Sequence, residues 1–154
     1  MGAHLCEKLF AGVDYSQIAI SVVAQYFLIF FWYAAIFGSL FRYYLAADKG
    51  VKRFEKMIMR WGMGLCTVSS LVAAAIKSFA IYALVNATNS TTLCQYQTIA
   101  GIIAFIVISM QHHNYWEQRP LALIIIAAGA EIATALLSAT VQYYLKVNDI
   151  KIAF

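Results

Sequence analysis

Charged residues and proline are scarce in this chain. Asp, Glu, Lys and Arg together make up only 12% of the 154 residues, against about 25% in ordinary soluble domains. A water-soluble surface with so little charge would expose large apolar patches, so an ordinary soluble domain is excluded. The single proline, Pro120, excludes a proline-rich linker.

Catalytic and cofactor motifs are also missing. The three cysteines form no C-x-x-C pair, which excludes the usual spacing of a redox or zinc site. Haem held by two imidazoles would need histidines at one depth on two helices, but His4 is far from the adjacent pair His112 and His113. The sequence therefore favours a non-enzymatic protein, with no cofactor and no metal site.

Long apolar runs occupy most of the chain, which is 63% hydrophobic. Four of them cover about residues 18–40, 61–85, 96–114 and 121–145. About 20 mainly apolar residues match a hydrocarbon core of roughly 30 Å, and backbone inside lipid must be helical. We therefore predict an all-α integral membrane protein. Residues 1–154 would form a single polytopic domain, a four-transmembrane-helix bundle.

Positive charge is concentrated between the first two spans. This loop carries six basic residues, Arg42, Lys49, Lys52, Arg53, Lys56 and Arg60. Short loops rich in Lys and Arg stay in the cytoplasm, so we predict a basic cytoplasmic first loop with both termini on the outer or lumenal side. The same charges suit anionic lipid headgroups, and no nucleic-acid partner is expected.

The predicted outer side carries two kinds of modification candidate. Asn86 and Asn89 each begin an N-x-[ST] triplet, the acceptor pattern for N-glycosylation. Cys6 and Cys94 lie on the same predicted side, where an oxidising compartment would allow a disulfide between them. The alternative to glycosylation is an unmodified loop, and the alternative to the disulfide is two unrelated thiols.

Two charged residues lie within predicted spans. Lys77 is in the outer half of the second span and Glu131 is near the middle of the fourth. Intramembrane charges are costly and mark functional sites by default. Three interpretations are open: an ion pair that locks helices or subunits together, an ion or proton site at Glu131, or a Lys77 side chain that extends to the membrane surface.

Small residues recur at helical spacing in the second and fourth spans. Gly129 and Ala133 are four residues apart, as are Ser69 and Ala73, and Gly62 begins a related series. Small residues at this interval let helix backbones approach closely. We therefore expect the second and fourth spans to pack against each other.

The first span differs from the others. Residues 26–33 are almost all aromatic or large aliphatic, so no side of this segment is smooth. We expect the first span to face lipid or an apolar partner.

The third span has the shortest continuous apolar run, residues 99–110. To cross the bilayer it must carry polar residues at its end, and we expect Gln111, His112 and His113 to form a polar cluster at the inner interface. A lipid-modifying enzyme that uses these histidines with Glu117 is left open, although no recognised spacing supports it.

These features predict a small non-enzymatic membrane protein that acts as a structural or accessory subunit of a larger complex or of a homo-oligomer. The alternative is an oligomeric ion or proton channel, or a transporter, that uses Glu131. The expected partners are the lipid bilayer and other membrane subunits or further copies of this chain. In a eukaryote the expected location is an endomembrane or the plasma membrane.

Overall fold

The computed structural model describes residues 13–58 and 61–148. In this part of the chain the α-helices are, in order, α1 (Tyr15–Phe31), α2 (Gly38–Asp48), α3 (Met63–Ala87), α4 (Leu93–Met110), α5 (His113–Trp116) and α6 (Leu121–Val147). A π-helical turn, Trp32–Ile36, separates α1 from α2, and a 3₁₀ turn, Phe54–Lys56, lies in the basic loop.

Four helical segments are long and apolar enough to cross a membrane. They cover Tyr15–Ile36, Gly64–Ala87, Leu93–Trp116 and Leu121–Val147. The prediction of an all-helical chain with four such segments is therefore confirmed. Helices of this length and apolarity are those of a multi-pass membrane protein.

Two spans begin three residues before the boundaries that the apolar runs predict, because polar caps extend the helices. The Asp14 carboxylate accepts hydrogen bonds from the backbone N–H groups of Ser16 (3.0 Å) and Gln17 (3.4 Å), which starts α1. Thr92 and Gln95 form a reciprocal capping box that starts α4. Both caps satisfy backbone donors that the first turn of a helix leaves free.

Two spans are less continuous than predicted. The first is interrupted where the Phe37 N–H donates to the Trp32 carbonyl at 2.9 Å, a bond between residues five apart that marks the π-turn. The third was predicted as one helix over 96–114, but α4 ends at Met110. The Gln111 N–H donates to the Ile108 carbonyl (3.0 Å) in a tighter turn, after which α5 begins.

Helix α6 is the centre of the bundle, and it packs most extensively against α4 and α1. The second and fourth spans do pack against each other as expected, but this contact is not the largest that α6 makes. The first span is not a uniformly lipid-facing helix either. Ser21 and Gln25 are fully buried, while Phe27 and Phe30 are exposed. Polar residues four apart place one polar strip of α1 inward and leave the bulky side chains outside.

The apolar core lies toward the end of the bundle where α3 and α4 are joined. Its buried members are Ile81, Val85, Tyr96, Ala100, Ile103, Ala104, Ala135 and Ala139. Seven of these are small or β-branched and let three helices approach closely around the Tyr96 ring. The core thus holds α3, α4 and α6 together at one end only.

At the other end of the bundle, the first half of α3 is exposed. None of the described side chains of residues 61–73 is buried, so the first half of α3 makes no extensive contact with the rest of the described chain. Gly62, Ser69 and Ala73, which we expected at the contact with the fourth span, are all exposed there. Instead, Ala74 and Ser78 face the bundle. The inward face of α3 is therefore offset from the predicted one and begins only halfway along the helix.

Candidate functional site

An ion pair lies between α3 and α6. The Lys77 ammonium donates to a carboxylate oxygen of Glu131, and also to the Thr134 hydroxyl at 2.8 Å. Glu131 and Thr134 are three residues apart and so lie on one face of α6. The Lys77 side chain is 8% exposed and that of Glu131 is 28% exposed. The structure thus brings together the two charged residues that the sequence placed within spans.

A second cluster surrounds Ser78, the residue after Lys77. The Gln25 side-chain amide of α1 donates to the Ser78 hydroxyl at 2.6 Å, and the Gln142 amide of α6 donates to the Ser78 carbonyl at 2.9 Å. The hydroxyls of Ser78 and Ser138 lie 3.2 Å apart. All four side chains are at most 1% exposed. Ser78 therefore ties three helices together through hydrogen bonds.

The ion pair and the Ser78 cluster form one continuous polar band. On α6 its members Glu131, Thr134, Ser138 and Gln142 follow one another at intervals of three or four residues. With about 1.5 Å of rise per residue, they cover roughly 16 Å of the helix. Inside a bilayer such a band is stable only if its members bond to each other, because lipid supplies no hydrogen-bond partner.

Two acceptors in this band remain unused. The side-chain oxygens of Gln25 and Gln142 are buried and accept no hydrogen bond from any described residue. Backbone carbonyls set the orientation of both amides: the Gln25 nitrogen lies 3.4 Å from the Ala74 carbonyl, and the Gln142 nitrogen faces that of Ser78. Only the amide nitrogen can donate to a carbonyl. Rotating either amide so that its oxygen and nitrogen exchange positions would therefore break this hydrogen bond.

A tryptophan and a glycine join the first and last spans next to this band. The Trp32 indole N–H donates to the Ile126 carbonyl at 3.1 Å. An added Cβ at Gly129 would lie only 2.9 Å from the Trp32 ring, so only glycine leaves space for the indole. Gly129, which we predicted as a packing residue, therefore contacts the first span. Ala133, its predicted companion, is half-buried.

A hydrogen bond also holds the start of the first span against α3. The Asp14 N–H donates to the Tyr82 hydroxyl at 2.9 Å, which links the start of α1 to the last turns of α3. The hydroxyl of Ser16 donates to the Asp14 carboxylate. This hydrogen bond, with those from the Gln17 and Ser16 backbones, lowers the pKa of Asp14 below its ordinary value of 3.8. Burial acts in the opposite direction but does not outweigh them.

In the predicted inner-interface cluster the rings of His112 and His113 lie 6.4 Å apart, measured between centroids, but no hydrogen bond joins its described members. His112 and His113 are exposed, and each bonds to a carbonyl of its own chain: His112 Nδ1 is 3.2 Å from Ser109 O, and His113 Nδ1 is 3.1 Å from Met110 O. Gln111 is half-buried, and its side-chain oxygen has no partner among the described residues. No three His, Cys, Asp or Glu side chains of residues 13–58 and 61–148 form a group that could hold a metal ion.

The predicted modification residues lie at or near the connection between α3 and α4. Asn86 is half-buried in the last turn of α3, whereas Asn89 is exposed in the turn that follows, with a positive φ of 50°. Cys94 is exposed in the first turn of α4. Its predicted disulfide partner, Cys6, lies outside the described residues.

Sequence reasoning missed the uncharged half of the polar band. Gln25, Ser78, Ser138 and Gln142 are polar residues within apolar runs, and Ser138 and Gln142 continue the spacing set by Thr134. That periodicity is a readable signal of a polar face on the fourth span. No comparable signal pointed to Trp32, because its neighbours are also aromatic.

The arrangement has two chemical capabilities. It neutralises two intramembrane charges within one chain, and it presents buried acceptor oxygens to a donor. In a low-dielectric interior both the ion pair and its hydrogen bonds are strengthened relative to water. The site is therefore a rigid connection between three helices with one ionisable pair at its edge.

Comparison with known proteins identifies a family but no characterised relative. Residues 16–143 match the profile of a family described as "Protein of unknown function (DUF1761)". No curated protein and no solved structure matches the chain significantly.

Proposed function

Because the chain belongs to the DUF1761 family, whose description assigns no activity, we propose a function from its own contacts: it is a non-enzymatic membrane subunit. It packs against further copies of itself or against other membrane proteins and stabilises the larger complex. One observation carries this proposal, namely that none of the described side chains in the first half of α3, up to Ala73, is buried.

The unpartnered surface has the composition of a helix–helix interface. Over residues 62–73 it combines exposed small side chains, including Cys66, Ser69 and Ala73, with the exposed apolar side chains of Leu65 and Val68. In lipid, small residues promote association because they allow close van der Waals contact between backbones. Gly62, Ser69 and Ala73 are therefore proposed to pack against another chain.

The interior of the bundle supports the same proposal. Lys77 and Glu131 bond to each other, so neither charge requires a partner subunit for neutralisation. Any partner would then bind through apolar and small side chains on the outer faces. Small side chains that allow close van der Waals packing are enriched at helix–helix interfaces in membranes.

The test is the particle mass after gentle extraction from the native membrane. We expect a defined oligomer or a complex of fixed stoichiometry, and Ala73→Trp should reduce the particle to the monomer. The matched control is Ile125→Trp, which enlarges a side chain that is 62% exposed on α6. A wild-type monomer, or equal dissociation by both substitutions, would contradict the proposal.

Cys66 gives an independent test, since it is exposed on the same part of α3. In a chain with Cys6→Ser and Cys94→Ser, oxidation in native membranes should cross-link Cys66 to a neighbouring copy if the complex is a homo-oligomer. Cross-linking to a different protein would identify an accessory role instead. If Cys66 is cross-linked to nothing, while Cys94 is cross-linked in a chain with Cys6→Ser and Cys66→Ser, the interface lies elsewhere.

A second candidate function is an ion or proton carrier that uses Glu131. It is favoured by the unequal burial of the ion pair, since Glu131 is 28% exposed while Lys77 is almost covered. A carboxylate at the edge of a buried pair can exchange a proton or a cation while the lysine stays in place. Flux into reconstituted vesicles that Glu131→Gln abolishes would support this function, and flux that survives the substitution would exclude it.

The orientation is part of the proposal. With six Lys and Arg residues in the first loop, we place residues 42–60 in the cytoplasm and residues 88–92 on the opposite side. A glycosylation reporter inserted after Asn89 should be modified, and one inserted after Gly50 should not. The reverse result would invert the orientation.

A further inference from the structure

The basic loop folds into a groove with a net positive charge. A Schellman motif ends α2: the Gly50 N–H donates to the Ala47 carbonyl (3.0 Å) and the Val51 N–H donates to the Ala46 carbonyl (3.0 Å). Gly50 adopts a φ of +69°, a left-handed conformation that favours glycine. The chain therefore reverses direction after α2 and brings the 3₁₀ turn back against it.

This reversal places four cations around one groove of about 560 Å³. Arg42 of α2 lies on one side, and Lys52, Arg53 and Lys56 lie on the other, with Glu55 as the one acidic residue in the lining. None of these four cations forms an ion pair with a described residue. Arg42 donates through Nε to the Gly38 carbonyl at 3.0 Å, which leaves its two terminal nitrogens for a ligand.

The position of the groove indicates a ligand at the membrane surface. Helix α2 starts directly after the first span ends at Ile36, and the second span begins shortly after Trp61. Tyr43, also in the lining, is 69% exposed, and Trp61 is 62% exposed. Such amphipathic aromatic side chains are typical of the lipid headgroup level.

From these observations we propose that the groove binds the headgroup of an anionic lipid whose phosphate is a monoester. Four cations and one carboxylate leave an excess of three positive charges in the lining. A phosphomonoester carries about 1.5 to 2 negative charges at pH 7, whereas a phosphodiester carries one, so the groove prefers the monoester. Arginine forks bind phosphate oxygens in pairs, which adds geometric selectivity to the charge.

The proposal is independent of self-association, since every lining residue belongs to one chain. The test is native mass spectrometry of the full chain in detergent, titrated with phosphatidic acid, phosphatidylglycerol or phosphatidylcholine of equal chain length. We expect one phosphatidic acid to bind per chain, about fivefold more tightly than phosphatidylglycerol. This ratio corresponds to about 1 kcal/mol for the additional negative charge of the monoester. Equal binding of the two anionic lipids would overturn the proposal.

A charge-matched pair of variants separates the groove from general attraction. Arg42→Gln with Arg53→Gln removes two lining cations and should weaken binding of phosphatidic acid by about 25-fold, or about fivefold for each cation. The control, Lys49→Gln with Arg119→Gln, removes two cations outside the lining, each paired with a nearby carboxylate. Equal losses in both double variants would overturn the proposal.

Gly50→Val tests the geometry without changing any charge. A β-branched residue is strained at φ +69°, so the 3₁₀ turn should move away from α2 and binding should fall although all cations remain. Circular dichroism checks that the helices of each variant persist. Unchanged binding in Gly50→Val would show that no formed groove is needed. Displacement of the lipid by free glycerol phosphate at similar concentration would overturn its assignment to a lipid.

Discussion

Lys77 and Glu131 are 54 residues apart in the chain, yet their side chains form an ion pair between α3 and α6. The contact connects the first two spans to the last two. It lies close to the position at which the side chains of α3 become buried against the other helices. It also lies next to Ser78, which bonds to α1 and α6. Stability of the bundle should therefore depend strongly on this short segment of α3.

The first prediction concerns the two charges. Lys77→Met leaves Glu131 without its counter-charge and should destabilise the protein by about 3–5 kcal/mol. The lower end is expected, because Glu131 is 28% exposed. Replacing both residues, as Lys77→Met with Glu131→Leu, should recover most of this loss. Thermal unfolding in detergent measures the loss of stability in the single variant and its recovery in the double variant. A double variant no more stable than Lys77→Met would show that the two side chains do not interact.

The second prediction concerns the contact of Gly129 with Trp32. Gly129→Ala places a methyl group 2.9 Å from the indole and should destabilise the protein, by about 1–3 kcal/mol as overpacked sites do. The matched control is Gly101→Ala on α4, where an added Cβ meets nothing within 4 Å. This control should stabilise the helix by about 0.5–1 kcal/mol. Equal effects of the two substitutions would contradict the packing described for Trp32.

The third prediction compares two serines on the same helix. Ser78→Ala removes the acceptor of the buried Gln25 amide and should cost about 1–3 kcal/mol. Ser69→Ala should change stability by less than about 0.5 kcal/mol, since Ser69 is exposed and its hydroxyl bonds to the Cys66 carbonyl of its own helix. Adding Gln25→Leu to Ser78→Ala should recover part of the loss. Similar costs for both serines would mean that the buried cluster does not stabilise the fold.

The fourth prediction concerns pH. Folding lowers the pKa of Asp14, mainly through the hydrogen bond from Ser16, so the ionised carboxylate stabilises the native state. That stabilisation is complete above pH 3.8 and is lost as the pH falls further through the lowered pKa of the folded protein.

Asp14→Asn separates this contribution from that of the other carboxylates. Asparagine is also a good N-cap, so the variant should resemble the wild type at neutral pH. Below pH 3.8 its melting temperature should fall less steeply than that of the wild type. Parallel curves for the two proteins would rule out a contribution from Asp14 ionisation.

The sequence predicted those features that depend on average properties of long segments. Length and apolarity were sufficient for four spans, and two isolated charges were sufficient to direct attention to Lys77 and Glu131. The inward face of α3 could not be identified in this way, because Ala73 and Ala74 are chemically identical and only the partner helices decide which is buried. The same limit applies to Ser69 and Ser78.

Two further features depend on contacts that no local pattern reveals. The π-turn at Trp32 turns the indole toward α6, and this contact requires Gly129, which is 97 residues further along the chain. The groove beside α2 depends on the chain reversal at Gly50 together with the return of the 3₁₀ turn. In contrast, the caps at Asp14 and Thr92 were readable from sequence and would have corrected two span boundaries.

The distance in sequence between Lys77 and Glu131 also imposes an order on biosynthesis. Because 54 residues separate the pair, α3 enters the bilayer before Glu131 can follow it. At about 5–20 residues per second, Lys77 remains without its counter-charge for roughly 3–10 s of translation. During this interval the nascent chain must keep α3 within the insertion machinery or near water. Termination of synthesis before α6 would leave an unneutralised lysine in the membrane, a feature by which quality control can distinguish incomplete chains from finished ones.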